Sequence, residues 1–410
     1  MSGAMSGEML GAMSGDGKSG VVARSSCGVR VRRETDGQTH PPPHPPPHPL
    51  RDGSGLKLGL FSMNADGGSA LTTVPERWRA SWDDNLRAAR MADGAGLDFL
   101  LPIARWRGFG GETRAREHSF ETFTWAAALA AATRRIALFS TVHVPLVHPL
   151  YAAKALATVD HVSGGRAGLN IVCGWNPAEF AMFGQTPDER GYDRAREWIG
   201  LIERLYAADE PIDHEGKYYA LTGAVSRPAS LQRPRPFTMN AAFGAPGRSF
   251  AARHCDVILT VFPDLDGAAA QVEDIAARGR TARRKIGAYA VAHVVCRETA
   301  AEAEDAYDRY ANREADHAAV DDHMRGKKAH SGSHDEAAYR LHRQRFAGGA
   351  GTFPLVGSPR EVADGLIAIH RAGYGGVGLS FLNYADELPR FASTVLPLLA
   401  EAGIRPEEIA

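Results

Sequence analysis

The residues best suited to chemistry stand where apolar runs end. Leu169 to Cys173 is apolar apart from one amide, Asn170, and Gly174, Trp175, Asn176 and Glu179 follow at once. An amide buried without partners costs about 2–7 kcal/mol, so Asn170 is either a satisfied core amide or a group aimed at a ligand. His293 interrupts the apolar run Ala290 to Cys296 in the same way. It is either a satisfied core or rim residue or a proton carrier, since imidazole titrates near neutrality. Thr141 and His143 close a third run, and Asn383 and Tyr384 follow a fourth. Asn240 to Arg248 is a small-residue turn leading into a helix. Free N–H groups at such a helix start suit a phosphate, and Gly244 and Gly247 let the backbone approach closely. The same pattern also serves as a plain turn. H-E-x-x-H, G-x-S-x-G and a metal triad are missing, which leaves a bound organic cofactor as the source of difficult chemistry.

These groups need a frame that gathers strand ends. The pattern predicts strands at Leu56–Met63, Asp98–Ile103, Ile136–His143, Ala167–Cys173, Phe237–Ala241, Asp256–Val261, Gly287–Cys296 and Gly376–Phe381. Helical patterns lie between them, at Pro75–Gly96, Phe120–Arg134, Pro149–Val162, Tyr192–Ala207, Asp266–Arg284, Thr299–Ala311, Pro359–Ala372 and Ala385–Ala402, with a shorter one opening at Arg248. Eight strands alternating with helices define an α/β chain, a (β/α)8 TIM barrel whose chemistry gathers at the strand C-termini. A doubly wound sheet is the alternative. One insertion follows strand four and holds a small hairpin turning at Gly216; another follows strand seven, the polar segment Asn312–Gly351. A loop that long reads as a lid, with Arg and Lys side chains able to close over an anion by charge-assisted hydrogen bonds.

Composition narrows the classes further. The 410 residues carry a formal charge of −1, which gives no reason to expect nucleic acid or an anionic membrane surface as partner. No apolar run reaches the ~20 residues of a membrane span. The four cysteines show no C-x-x-C pairing; with no secretory signal, they fit a reducing cytoplasm. Residues 1–55, rich in Gly, Ser and Pro, are expected to be a disordered tail ahead of a barrel over 56–410. Its His40–His48 stretch reads as polyproline II, with adventitious metal binding as the other reading.

The quoted residues are similar to a known family. Leu101-Pro-Ile-Ala-Arg-Trp-Arg-Gly-Phe-Gly-Gly111, Asp160 to Asn176, Phe250-Ala-Ala-Arg-His-Cys-Asp256 and Pro354-Leu-Val-Gly-Ser-Pro359 resemble the flavin-dependent monooxygenases of the bacterial luciferase and alkanesulfonate monooxygenase superfamily. Members acting on dimethyl sulfone are nearest in flavour, with pyrimidine-ring oxygenases close behind. The resemblance implies reduced FMN, supplied by a separate NAD(P)H-dependent flavin reductase, O2 as co-substrate, and a homodimer or homotetramer. It implies a small organic substrate, an organosulfur compound (sulfone or sulfonate) undergoing C–S cleavage. It places Ala104, Arg105, Thr141, Asn170 and Glu179 along the flavin, Tyr192 near the ribityl-phosphate end, and Gly244 at the phosphate turn. Gly191 stands where relatives carry an arginine, and Arg190 is the residue placed to replace it. His293, Arg345 and Tyr384 form the implied catalytic set. Relatives also offer a serine near Phe243 or Gly244 and, in sulfonate oxygenases, a cysteine after strand two; both are missing here. Other readings are a pyrimidine or other heterocycle oxygenase, a deazaflavin-dependent oxidoreductase on the same scaffold, and a flavin-storage protein.

Overall fold

A computed structural model of the chain describes residues 48–53, 55–174, 176–186, 191–242, 244–326 and 336–406. Its strands are β1 (Lys57–Phe61), β2 (Phe99–Leu101), β3 (Ala137–His143), β4 (Ala167–Val172), β5 (Ile212–Glu215), β6 (Ala220–Ala224), β7 (Phe237–Ala241), β8 (Val257–Thr260), β9 (Gly287–Cys296), β10 (Phe353–Gly357) and β11 (Gly376–Ser380). Parallel pairing runs β1-β2-β3-β4-β7-β8-β9-β11, and β11 pairs back onto β1, which closes an eight-stranded barrel. β5 and β6 form a separate antiparallel hairpin. β10 lies against Ala292 to Cys296, extending the β9 edge beyond the part that pairs with β8.

Both faces of a parallel barrel are covered, so its strands read as apolar runs. Alternate residues then divide by direction. Phe99, Leu101, Ala137, Phe139, Phe237, Met239, Val257, Leu259, Tyr289 and Val291 share the interior cluster. Large rings fit there because small residues face them: a Cβ on Gly59 would lie 2.3 Å from the Phe99 ring, and one on Gly168 would lie 2.5 Å from Phe139. Following the same parity upward, Thr141, His143, Asn170 and His293 stand on the inward face at the strand C-termini. The interior is thus apolar below and polar at the mouth.

Several expectations are revised by packing. The first helix is Trp82–Gly94, capped by Ser81, and not Pro75–Gly96. Trp78 precedes it, buried, with Nε1 donating to the Met63 carbonyl at 2.8 Å. The segment expected to be a long polar loop carries the helices His317–Gly326 and Glu336–Gly349, with 327–335 outside the described residues. Ala311, Ala319, Val320, Phe346 and Ala347 bury against Leu71, Val74 and Phe109, forming a second core above the barrel. Leu71 N donates to the Ala347 carbonyl at 2.7 Å, and Thr73 N to that of Glu314 at 2.9 Å. Apolar burial and backbone pairing therefore hold much of this cap on the barrel.

The expected tail boundary also shifts. Residues 1–47 lie outside the described residues, but His48 and Leu50 are buried. The His48 ring stacks on Phe237 at 5.0 Å, and Leu50 belongs to the interior cluster. The chain therefore enters the barrel floor before Leu56. Leu50→Ala should lower the unfolding free energy by about 2–3 kcal/mol, the low end for a buried leucine. Urea unfolding measures it; a loss under about 0.5 kcal/mol, the scale of a surface change, would show that Leu50 does not plug the floor.

Candidate active site

The mouth is built first by Glu179. Asn176 caps the short helix Pro177–Met182 by accepting from Ala178 N at 3.1 Å. This sets Glu179 in the first turn, where a carboxylate is favoured by the helix dipole. Its Oε1 accepts Arg105 Nη1 at 3.2 Å, Trp106 N at 2.9 Å and Arg107 N at 3.2 Å. Glu179 is 1% exposed, so the β2–helix loop is pinned by a buried charge pair. Burial lowers the Arg105 pKa, with Glu179 opposing. Ala104 sits half-buried beside it. At the rim, exposed Trp106 meets exposed Phe183 edge-on at 4.9 Å.

Beside this wall, Thr141 and Asn170 face each other across β3 and β4. The Thr141 hydroxyl donates to the Pro102 carbonyl at 2.5 Å and so can only accept the 3.1 Å bond from Asn170 Nδ2. That fixes the amide orientation. Asn170 Oδ1 is left buried with no hydrogen-bond partner. His143 stands one inward position further along β3, and its Nδ1 is likewise buried without a partner. Burial brings its pKa down to about 4, with Glu179 opposing and Arg105 assisting. His143 was visible at a strand end in the sequence, but nothing there separated it from a core histidine.

The third wall lies over β9. His293 Nδ1 is 2.9 Å from Thr352 Oγ1, and its ring leans on Tyr307 at 5.3 Å. Burial and the nearby Arg345 bring its pKa down to about 3. Arg345 donates from Nη1 to the Pro263 carbonyl at 2.6 Å and lies 5.8 Å from the Phe353 ring centre. Arg345 is thus close enough to His293 for its charge to act on the ring.

Gly244 caps the helix Ala245–His254, which receives no side-chain cap and has proline in its first turn. Gly247 in that turn is buried, and a Cβ there would lie 2.3 Å from the Tyr192 hydroxyl. Tyr192 and the turn thus meet, and burial raises the phenol's pKa. Tyr384 belongs elsewhere. It is fully buried, donates its hydroxyl to the Phe61 carbonyl and meets Trp78 edge-on at 5.0 Å. The ring is a core element that ties the last barrel helix to the end of β1, and a catalytic role is not supported by this placement. Arg190, Trp175 and Phe243 lie outside the described residues. No group of three or more His, Cys, Asp or Glu suited to a metal occurs among the described residues, nor any helix long and apolar enough to cross a membrane.

A barrel with an uncapped helix start and unpartnered buried acceptors at its mouth has the groups to hold a bound cofactor. The profile of the luciferase-like monooxygenases matches residues 56–375, and the chain belongs to that family. The FMNH(2)-dependent dimethylsulfone monooxygenase of Pseudomonas putida is 28% identical over 362 residues, which cover 84% of this chain and 96% of that one. Pyrimidine monooxygenase RutA of a Bradyrhizobium species is 29% identical over 361 residues, covering 85% and 99%. The crystal structure of riboflavin lyase (RcaE) with modified FMN and substrate riboflavin gives a TM-score of 0.76 at 24% identity, covering 87% of this chain and 94% of that one; this likeness speaks to the fold alone.

The buried histidines set a pH response. His48, His143 and His293 have folded pKa values of about 3, about 4 and about 3, against 6.5 when unfolded. Between those limits the unfolded chain binds more protons, so stability is complete above about pH 6.5 and falls as pH drops toward 4. Depressed carboxylates such as Asp256, with an ordinary value of 3.8, add losses that begin near pH 5 and continue below it, so the histidine share is read from the decline between about pH 6.5 and 5. Urea unfolding from pH 7 to 4 should show this decline, and His143→Gln should reduce proton uptake by about one. A flat profile over that range would contradict the buried, neutral assignment.

Proposed function

We propose that the chain is a two-component FMN-dependent monooxygenase that takes reduced FMN from a separate NAD(P)H-dependent reductase and oxygenates a small organosulfur compound, a sulfone or sulfonate, with C–S cleavage. The observation that carries the flavin reading is Asn170 Oδ1, a buried acceptor with no protein partner beneath a polar mouth. A buried acceptor of this kind costs about 1–3 kcal/mol unless something bonds it, and a ring N–H of a flavin suits it. The uncapped helix start at Gly244, with Gly247 under the Tyr192 hydroxyl, suits a phosphate through its free N–H groups and positive dipole end. The residues present therefore fit FMN.

When bound, reduced FMN supplies the electrons that activate O2 for transfer of one oxygen atom to the substrate. The chain's own groups do the rest. Glu179 fixes Arg105 to Arg107 along one side of the mouth. Asn170, held by Thr141, would hold the flavin through its bare Oδ1. His293 accepts or returns a proton at Nε2. The cap keeps water from the mouth, and water exclusion protects reactive species from hydrolysis. Arg345 supplies positive charge beside His293, which suits an anionic substrate. The RutA relative is as similar as the sulfone enzyme, so a pyrimidine ring is the second substrate reading.

Asn170→Leu should weaken binding of reduced FMN by about 1–3 kcal/mol, read by anaerobic fluorescence titration, with circular dichroism unchanged. Unaltered affinity would remove Asn170 from the site. With a reductase supplying FMNH2, turnover of dimethyl sulfone or a short alkanesulfonate supports the sulfur reading, whereas turnover of uracil alone replaces it by the pyrimidine one. Preference for reduced deazaflavin without O2 uptake contradicts both.

A further inference from the structure

His293 is held by more than its strand. It lies in register with Ser380 of β11 and Pro354 of β10, and the turn Gly349 to Thr352 presses on its ring from the cap. A Cβ on Gly349 would lie 2.1 Å from Nδ1, so the glycine's bare backbone is required for that approach. Ala350 and Gly351 follow with φ of 56° and 85°, a left-handed pair that ends the helix and brings Thr352 over Nδ1.

The bond directions follow from counting protons. Thr352 Oγ1 is 2.7 Å from the Gly349 carbonyl and 2.9 Å from His293 Nδ1. A carbonyl only accepts, so the single hydroxyl proton points to Gly349. The threonine oxygen then accepts from Nδ1–H. A neutral imidazole carries one N–H, so Nε2 is bare, and it is buried without a protein partner. Thr141 treats Asn170 in the same way, with its own proton committed to a carbonyl.

We propose that Thr352 is a positioning residue that holds His293 in the Nδ1–H tautomer, anchored by the last carbonyl of the cap helix, so that Nε2 presents a proton acceptor to the reacting groups. In the step assigned to it, Nε2 takes a proton from an O–H or N–H of the bound reactants. That leaves their electron pair behind and gives an imidazolium whose Nδ1–H stays on Thr352; returning the proton restores the starting tautomer. Burial and Arg345 disfavour the cation, so His293 rests neutral before and after the step. Because Gly349 belongs to the cap, displacement of the cap removes the fixed tautomer along with the cover. The assignment to catalysis rests on the monooxygenase reading; the tautomer itself does not.

The test separates the two. Histidine labelled with 15N gives distinct signals for protonated and bare ring nitrogens, and needs no flavin. The expected result is Nδ1 protonated and Nε2 bare for His293, identified by its loss in His293→Gln. Thr352→Ser should keep this pattern; Thr352→Val should lose it, giving Nε2–H or a mixture. In turnover with reductase-supplied FMNH2, Thr352→Val should lower kcat at least about 10-fold and change the shape of its pH profile, with FMN affinity and KM within about 3-fold. Thr352→Ser should recover most of kcat. If Thr352→Val does not fold, Thr352→Ala takes its place in both measurements. An Nε2–H tautomer in the wild type, or an unchanged tautomer in Thr352→Val, overturns the positioning role. An altered tautomer with normal kcat and pH profile overturns its catalytic use. Failure of the wild type to bind FMNH2, with the tautomers as expected, refutes the monooxygenase reading and leaves the positioning role standing.

Discussion

The Glu179 carboxylate is the contact on which the mouth of the barrel depends. One oxygen gathers a guanidinium and two backbone N–H groups from the loop after β2, in a place where the side chain is 1% exposed. A carboxylate so buried is tolerable only when it is paired and hydrogen-bonded. The pairing in turn fixes Arg105, which reaches the Phe109 ring at 5.2 Å and so meets the apolar underside of the cap. Phe109 also stacks on His323 at 4.3 Å. One charge pair therefore connects the short helix after β4, the loop after β2 and the cap.

The polar groups around that contact share a rule. Asn170 and His293 are each held by a threonine whose own proton is already committed, which leaves one atom of the site residue bare. Thr141 does this for Asn170 and Thr352 for His293. Low dielectric makes such atoms costly when unpaired and strong when bonded. The apolar lower barrel, filled by aromatic rings facing small residues, supplies the rigid base on which those directions are kept.

Much of the frame was legible from sequence. The strands Phe237–Ala241 and Gly287–Cys296 coincide with their expected limits, because apolar runs buried on both faces end sharply at turn residues. β10 was missed, since Phe353-Pro-Leu-Val-Gly357 is short and proline argues against a strand; here the strand only extends the barrel at β9. The cap read as a loop because its helices bury small residues such as Ala319 and Ala347 beside only a few large ones such as Phe346, a stripe too weak to stand out among charges. His48 and Leu50 carried no periodic signal at all. Within the site, Asn170 and His293 were visible as polar breaks in apolar runs, and Glu179 as an acid just beyond one. Thr352 was not, because its importance comes from a 59-residue separation closed only by folding. Tyr384 misled for the converse reason: a polar tip after the last strand looks available until the fold turns it onto a carbonyl.

The most direct test of the central claim is a single turnover under 18O2. The enzyme is loaded anaerobically with stoichiometric reduced FMN and a sulfone, sulfonate or pyrimidine, and the products are analysed by mass spectrometry. The account predicts that one atom of 18O appears in the organic product and the other in water, with oxidised FMN released and little hydrogen peroxide. Product lacking 18O, or quantitative peroxide with every substrate class, would contradict it.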